Sequence, residues 1–380
     1  MDLTEYQYIV AGAGIFGATV AERLANKGKK VLVVEKRPHL AGNIYSYTDK
    51  ETGIEVHKYG SHIFHTESDE VWNYITRFTN FNDYIHTVDT RHNGKLYPMP
   101  INLDTINLLY EKNLNAQEAE EFIKAEAERD SASINNPKNF EEQGITLVGE
   151  KLYEAFLKNY TAKQWNTDPK NLSVDLLKRI PVRFSHDNRY FITAKHQGIP
   201  VNGYTKIIEK MLSSDNITIK LNTDFKSLDE IPSEAKIIYC GTVDELMDYQ
   251  LGVLPYRSLR FEEERINNSE QTQAVINEAD PDIPYTRTHN YKYYQIHQPE
   301  IIEQSASIIC REYPADFKQD SEAYYPINNP DSMELYNKYV ELIKDKYPNM
   351  VLGGRLGKYQ YWDMDKAILA GLETAKNLLA

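Results

Sequence analysis

Residues 6–35 read YQYIVAGAGIFGATVAERLANKGKKVLVVE, and their order decides the fold. Residues 6–11 form a short apolar run rich in β-formers. The run enters Gly12-Ala13-Gly14-Ile15-Phe16-Gly17; residues 18–26 then have helical character, and Gly28 stops them. Residues 31–34 are a second buried strand, ending at Glu35. Strand, glycine turn, helix, strand and acid make up the order a dinucleotide-binding βαβ unit needs. Gly12 permits the tight turn, Gly14 lets the backbone approach a pyrophosphate, and Gly17 lets helix and strand pack closely. The helix then starts with free N–H groups facing the phosphates, Ile15 and Phe16 lying in that first turn. Glu35 can accept from the adenosine ribose hydroxyls, and an acid there disfavours the 2′-phosphate of NADP.

Beyond Glu35, Lys36-Arg37-Pro38-His39-Leu40-Ala41-Gly42-Asn43 puts a small-residue pair just past the second strand. Large flavoproteins carry Gly-Gly there, because the backbone passes close to the cofactor; Ala41 is a small departure. No second GxGxxG follows, so no separate nicotinamide site is evident and FAD is favoured over NAD. Further on, Gly60-Ser61-His62-Ile63-Phe64-His65 could bring backbone and imidazole against a flavin ring. The same string equally describes an ordinary turn containing histidines.

The 380 residues suit two or three packed units rather than one core. A formal net charge of −13 argues against nucleic acid or an anionic membrane as partner. An anionic ligand would then depend on a few local arginines. Tyrosine outnumbers phenylalanine 28 to 12, and a phenol both stacks and hydrogen-bonds, which suits a polar ligand. The two cysteines, Cys240 and Cys310, make neither a metal-ligand spacing nor a disulfide framework. No apolar stretch is long enough to span a bilayer, no signal peptide is evident, and the expectation is a cytoplasmic protein.

The expected architecture is α/β: a Rossmann-type FAD-binding domain, a helical insertion and an antiparallel β-sheet domain. The cofactor domain is assembled from residues 1–85, 201–243 and 345–380. Residues 103–180 read as helical, with 127–140 as a polar loop and 145–165 as one helix. Residues 86–102, 181–200 and 244–344 carry short β-rich runs such as YRSLRF, YKYYQIH and ASIICREY. A C-terminal helix from about 365, with Ile368, Leu369, Leu372, Ala375 and Leu379 on one face, would point its start at the cofactor.

Phe156 and Tyr160 lie at i, i+4, with Thr161 and Trp165 close behind. They make either an aromatic platform for a base or ordinary core packing. Arg179 (KRIP), Arg287 (PYTR) and Arg355 (GGR) stand in unusual settings for solvated charges, and a guanidinium suits bidentate phosphate binding.

The strings KYGSHIFHT (58–66), NYTAKQW (159–165), KRIPVRF (178–184), QGIPVNGYTKIIEKML (197–212), YRSLRFEEER (256–265), PYTR (284–287), YYPI (324–327) and GGRLGKYQYWDM (353–364) closely resemble bacterial UDP-galactopyranose mutases. The resemblance is collinear and runs nearly end to end. It implies a flavin-dependent isomerase of galactofuranose biosynthesis that interconverts UDP-galactopyranose and UDP-galactofuranose through a covalent flavin N5–sugar adduct, with no net redox change. It implies FAD in its reduced form, an electron donor that the sequence does not identify, and a homodimer. It makes Phe156, Tyr160, Thr161 and Trp165 the uridine-binding helix and Arg179 and Arg287 the diphosphate ligands, Arg179 on a mobile lid. Tyr190, Tyr325 and Tyr361 add hydrogen bonds to the diphosphate, and Asn277 lies on the substrate side. His62 and His65 stand near the flavin. Ser61, Arg355, Tyr361, Trp362, Asp363 and Met364 join Lys36, Gly42, Asn43 and the glycine turn as cofactor contacts. His86 occupies a substrate-side position where the family carries Asn. Two rivals share the fold: an amine-oxidase-like or desaturase-like oxidoreductase, and a catalytically silent nucleotide-sugar-binding flavoprotein.

Overall fold

The computed structural model describes residues 2–177, 182–319 and 321–380. The chain forms two compact units: Met1–Asp83, Ala194–Leu259 and Ala315–Ala380 make the first, and Tyr84–Thr193 with Arg260–Pro314 the second. The helical segment and most of the β-rich runs thus fall in the second unit, while residues 315–344 fall in the first.

The first unit is built on a parallel five-stranded sheet, ordered Met350–Leu352, Lys236–Tyr239, β1 (Tyr8–Ala11), β2 (Val31–Val34) and Ile217–Lys220. Side chains of a strand alternate between faces, and both faces here are covered. Tyr8, Val10, Val31 and Val33 pack under α1 (Ile15–Ala25), Tyr204–Met211 and Met364–Leu379. Ile9, Ala11, Leu32 and Val34 pack against Tyr336, Tyr339 and Ile343 of Pro330–Lys346. That double coverage is why both strands read as unbroken apolar runs. Each fully buried Val or Ile contributes about 1.5–3 kcal/mol. The close approaches need glycine: a Cβ on Gly17 would lie 2.1 Å from the Gly12 carbonyl, and one on Gly371 would lie 2.9 Å from Thr19.

In the second unit the strand order runs Tyr256–Asn267, Ala306–Asp316, Arg287–Asn290, Val275–Glu278, Val88–His92, Lys95–Met99. Arg287–Asn290 pairs antiparallel with both neighbours. Val275–Glu278 pairs parallel with Val88–His92, a departure from a purely antiparallel sheet. The cause is the long helical crossover between them, since only adjacent strands joined by tight turns must be antiparallel.

Asparagine side chains cap three helices of this segment: Asn102 for Leu103–Tyr110, Asn115 for Ala116–Asp130 and Asn139 for Phe140–Val148. The helix expected to give way at 127 runs on to Asp130, because Ala127 continues the buried row of Ala119 and Ile123. The single helix expected over 145–165 breaks at Gly149, whose φ is +80°. It resumes as Glu150–Leu152, a π-helical turn Tyr153–Lys158 and the helix Asn159–Trp165. Tyr291–Tyr294, expected as strand, is a 3₁₀ turn that buries Tyr291 and Tyr294 together at i, i+3. Of 181–200, the described part holds one short strand, His196–Gly198, paired with Phe64–Thr66 in the first unit.

Candidate functional site

In the first unit a cavity of about 470 Å³ opens at the carboxyl ends of the parallel strands. Gly12, Gly14, Ile15, Phe16 and Gly17 line it, and α1 begins there with no side-chain cap. Its first N–H groups are therefore available to an anion. A Cβ built on Gly14 meets nothing within 4 Å, so the bare Cα fronts open space through which a ligand can approach. Gly12 takes φ +114°, closed to most side chains, and Gly42 packs back on Gly14 with φ +54°. Ala41 adopts φ +75°, so the departure from Gly-Gly is accommodated in a left-handed conformation.

Glu35 is buried at the end of β2. Its carboxylate accepts from the Ala13 N–H at 2.9 Å and the Arg37 N–H at 3.0 Å, which ties the glycine turn to the second strand. Lone pairs remain on both oxygens for a ribose hydroxyl. Lys36, Gly42, Asn43, His62, Arg355, Trp362, Asp363 and Met364 complete the expected wall, whereas Ser61, His65 and Tyr361 are not on it. An elongated cavity with uncapped helix N–H groups at its centre and an acid beside them fits a dinucleotide such as FAD.

Sequence reasoning missed the opposite wall. Thr223–Lys226 follows the strand Ile217–Lys220, Cys240–Thr242 follows Lys236–Tyr239, and residues 317–323 cross nearby. The usable signal was position: ligand crevices form at strand carboxyl ends. Arg37, also unassigned, donates to Asn43 at 2.9 Å and to Glu322, and stacks on Tyr59 at 4.7 Å. It fastens the 317–323 segment to the glycine side. Burial pushes the Cys240 thiol far above its usual range, so it is unreactive.

His62 donates or accepts at the Gly60 carbonyl (2.7 Å), and the Tyr204 hydroxyl donates to the His62 carbonyl at 2.9 Å. Burial lowers the His65 pKa against the opposing charges of Asp363 and Asp365. Tyr325 and Tyr361 lie 5.3 Å apart, with the Arg355 guanidinium over both rings at 5.1 and 5.3 Å. Arg355 itself donates to the Trp362 carbonyl at 2.6 Å.

In the second unit the structure brings Tyr160, Arg287 and Asn277 together. Arg287 Nη2 lies 2.5 Å from the Tyr160 hydroxyl, and its Nε is 3.4 Å from Glu312. Asn277 faces Arg287 across the ladder, and its Oδ1 is buried with no partner among the described residues. Burial pushes the Glu312 carboxyl up, but Arg287 and the hydrogen bond from His289 (3.3 Å) outweigh it and hold it at about 2. Burial keeps His289 neutral and also raises the Tyr160 phenol, which therefore stays protonated.

Phe156, by contrast, is buried edge-on against Tyr97 (5.1 Å) and His92 (6.0 Å). Thr161 is buried on the same helix as Tyr160, and Trp165 ends it. His86 is buried, takes the Tyr84 hydroxyl at 3.2 Å on Nδ1, and receives the Tyr190 N–H on its carbonyl at 2.8 Å. The Tyr190 side chain is 48% exposed and so available to a ligand. Arg179 lies outside the described residues. Among the described residues no helix is long and apolar enough to cross a membrane, and no cluster of candidate metal ligands occurs.

Comparison with known proteins gives two family matches: UDP-galactopyranose mutase over residues 155–361 and an NAD(P)-binding Rossmann-like domain over residues 10–78. A Klebsiella pneumoniae protein called "Probable UDP-galactopyranose mutase" is 38% identical, over 98% of this chain and 94% of its own length. A dTDP-fucopyranose mutase of Escherichia coli is 35% identical over 97% of each. A crystal structure of reduced UDP-galactopyranose mutase shares the fold with a TM-score of 0.72 at 16% identity, covering 98% of this chain and 95% of that one.

Proposed function

The chain belongs to the UDP-galactopyranose mutase family, and from that premise we propose that it holds FAD on its first unit and, with the flavin reduced, interconverts UDP-galactopyranose and UDP-galactofuranose without net redox change. The observation that carries this reading is the Tyr160–Arg287 pair at 2.5 Å, backed by Glu312. A phenol face for a base and a fixed guanidinium for a diphosphate stand side by side there.

When bound and reduced, the flavin supplies an electron-rich nitrogen for the anomeric carbon. The chain's residues do the rest by binding and electrostatics. Arg287 holds the charge that develops on the departing diphosphate, and the Glu312 carboxylate keeps its plane oriented. Each charge-assisted hydrogen bond is worth about 1.5–3 kcal/mol. Arg179, matched by its motif, serves as the second guanidinium. Tyr160 stacks on the base, and its protonated hydroxyl keeps the guanidinium fork aimed. The Asn277 Oδ1 accepts from a substrate hydroxyl, which would otherwise leave that buried oxygen unpaired. Tyr190 adds a hydrogen bond from its exposed phenol. His65, with its pKa lowered by burial, puts no fixed cation beside the reacting centre. A water-excluding closure over the sugar protects the activated carbon from hydrolysis.

The test is to incubate dithionite-reduced protein with UDP-galactofuranose and separate products by chromatography. Conversion to the pyranose isomer is expected; an oxidised sugar product would favour the oxidoreductase reading, and no turnover the silent binder. A second reading concerns the substrate alone. The Escherichia coli relative named for dTDP-fucopyranose matches nearly as well as the one named for UDP-galactopyranose. Running both nucleotide sugars side by side decides it, the larger kcat/KM naming the substrate.

A further inference from the structure

Residues 279–286 connect the strand carrying Asn277 to the strand that opens with Arg287. The turn contains Pro281 and Pro284, which have no N–H to offer its own carbonyls. Four of the carbonyls in and flanking it converge instead on one side chain. Lys163 Nζ donates to Glu278 O at 2.6 Å, Asp280 O at 2.9 Å, Ile283 O at 3.0 Å and Tyr285 O at 3.3 Å.

An ammonium is a compact charge with three rotatable donors, and it can serve a shell of acceptors in this way; a planar guanidinium cannot. The charge is held although burial draws the Lys163 pKa down to about 8, with Glu278 and Asp280 opposing the fall. Those two carboxylates are themselves engaged from the neighbouring strand, Glu278 by Arg91 at 3.3 Å and Asp280 by His92 at 3.1 Å. The cage is therefore neither a surface ion pair nor a catalytic base. Its place in the chain is informative. Lys163 sits three residues, one helical turn, after Tyr160. Tyr285, the last carbonyl of the cage, sits two residues before Arg287.

We propose that Lys163 is a positioning residue: by gathering the carbonyls of the 278–285 turn, it fixes the helix that carries Tyr160 against the strand that carries Arg287, so that the two meet as a ligand pair for the diphosphate. This rests on the functional reading given above. Lys163 touches no substrate and acts through its neighbours. Removing its charge leaves four carbonyls without their shared donor, the turn relaxes, and the 2.5 Å approach is lost.

The experiment uses the full-length FAD-loaded protein and UDP as probe. Lys163→Met is expected to weaken UDP binding roughly tenfold or more and to raise KM more than it lowers kcat, with flavin content and visible spectrum unchanged. Lys163→Arg is expected not to rescue, because its fork cannot reach four convergent acceptors. In a Tyr160→Phe background, Lys163→Met should add less than twofold, since the pair it positions is already broken. If Lys163→Met fails to fold, Lys163→Gln is read in its place. Wild-type UDP affinity in Lys163→Met or Lys163→Gln, full rescue by arginine, or full additivity with Tyr160→Phe would each overturn the proposal. A wild-type protein that neither binds UDP nor turns over would instead overturn the functional reading.

Discussion

Replacing Arg287 by alanine has two consequences that the structure allows to be separated. The first is on stability. Glu312 is buried under Arg287, and an acid strength of about 2 against an ordinary value of 4.5 corresponds to about 3 kcal/mol in favour of its anion. Removing one member of a buried pair leaves that anion uncompensated, at a cost of about 3–5 kcal/mol. The second consequence is on turnover. Loss of a guanidinium that holds developing diphosphate charge should lower the rate by about 10²–10³. Arg287→Ala is thus expected to be both unstable and inactive. Adding Glu312→Gln removes the stranded charge, so the double variant should recover most of the stability and none of the activity. Urea unfolding reads the first, chromatographic turnover with reduced protein the second, and visible flavin absorbance confirms that the cofactor is bound in both variants. A flavin-loaded double variant that turns over within tenfold of wild type would refute the role given to Arg287. A single variant as stable as wild type would refute the energetics of the pair.

Two glycines of one turn should fail in different ways: Gly14→Val, whose new side chain enters the cavity, should yield folded, colourless protein, whereas Gly17→Ala, whose Cβ meets the Gly12 carbonyl at 2.1 Å, should cost the fold of the first unit, as read by circular dichroism and flavin content. The depressed acidity of Glu312 sets a pH dependence: its contribution is whole above about 4.5 and is lost as pH falls through about 2. Urea midpoints should therefore drop across that window, by up to about 1.4 kcal/mol per pH unit from this group, and Glu312→Gln should show a shallower fall; parallel profiles would show that Glu312 does not drive the loss.

The glycine turn was legible because each of its glycines answers a local demand, and so were the two strands buried on both faces. The opposite wall of the cavity was not. Residues 223–226, 240–242 and 317–323 reach it only because the sheet is ordered 350–352, 236–239, 8–11, 31–34, 217–220, and no local periodicity encodes that order. Tyr291–Tyr294 was read as strand from the β-preference of tyrosine, and burying two rings together overrode that preference. Arg287 was visible from its setting beside a proline-bounded tyrosine. Its partner Glu312 looked like any acid on a half-exposed strand, and Lys163 like any lysine on a polar helix face. Both matter because of what surrounds them in three dimensions, which sequence spacing does not report.

The π-helical turn Tyr153–Lys158 carries one residue more per hydrogen-bonded ring than the helix it feeds. Excising a single residue there would let the chain continue as ordinary α-helix, a change the backbone would welcome. Yet everything downstream would swing by about 100°, carrying Tyr160 and Lys163 off their targets together. A stretch that looks like a local imperfection thus acts as the phase setting of the whole ligand-facing helix, and natural variation at this point should tolerate exchanges of residue far better than changes of length.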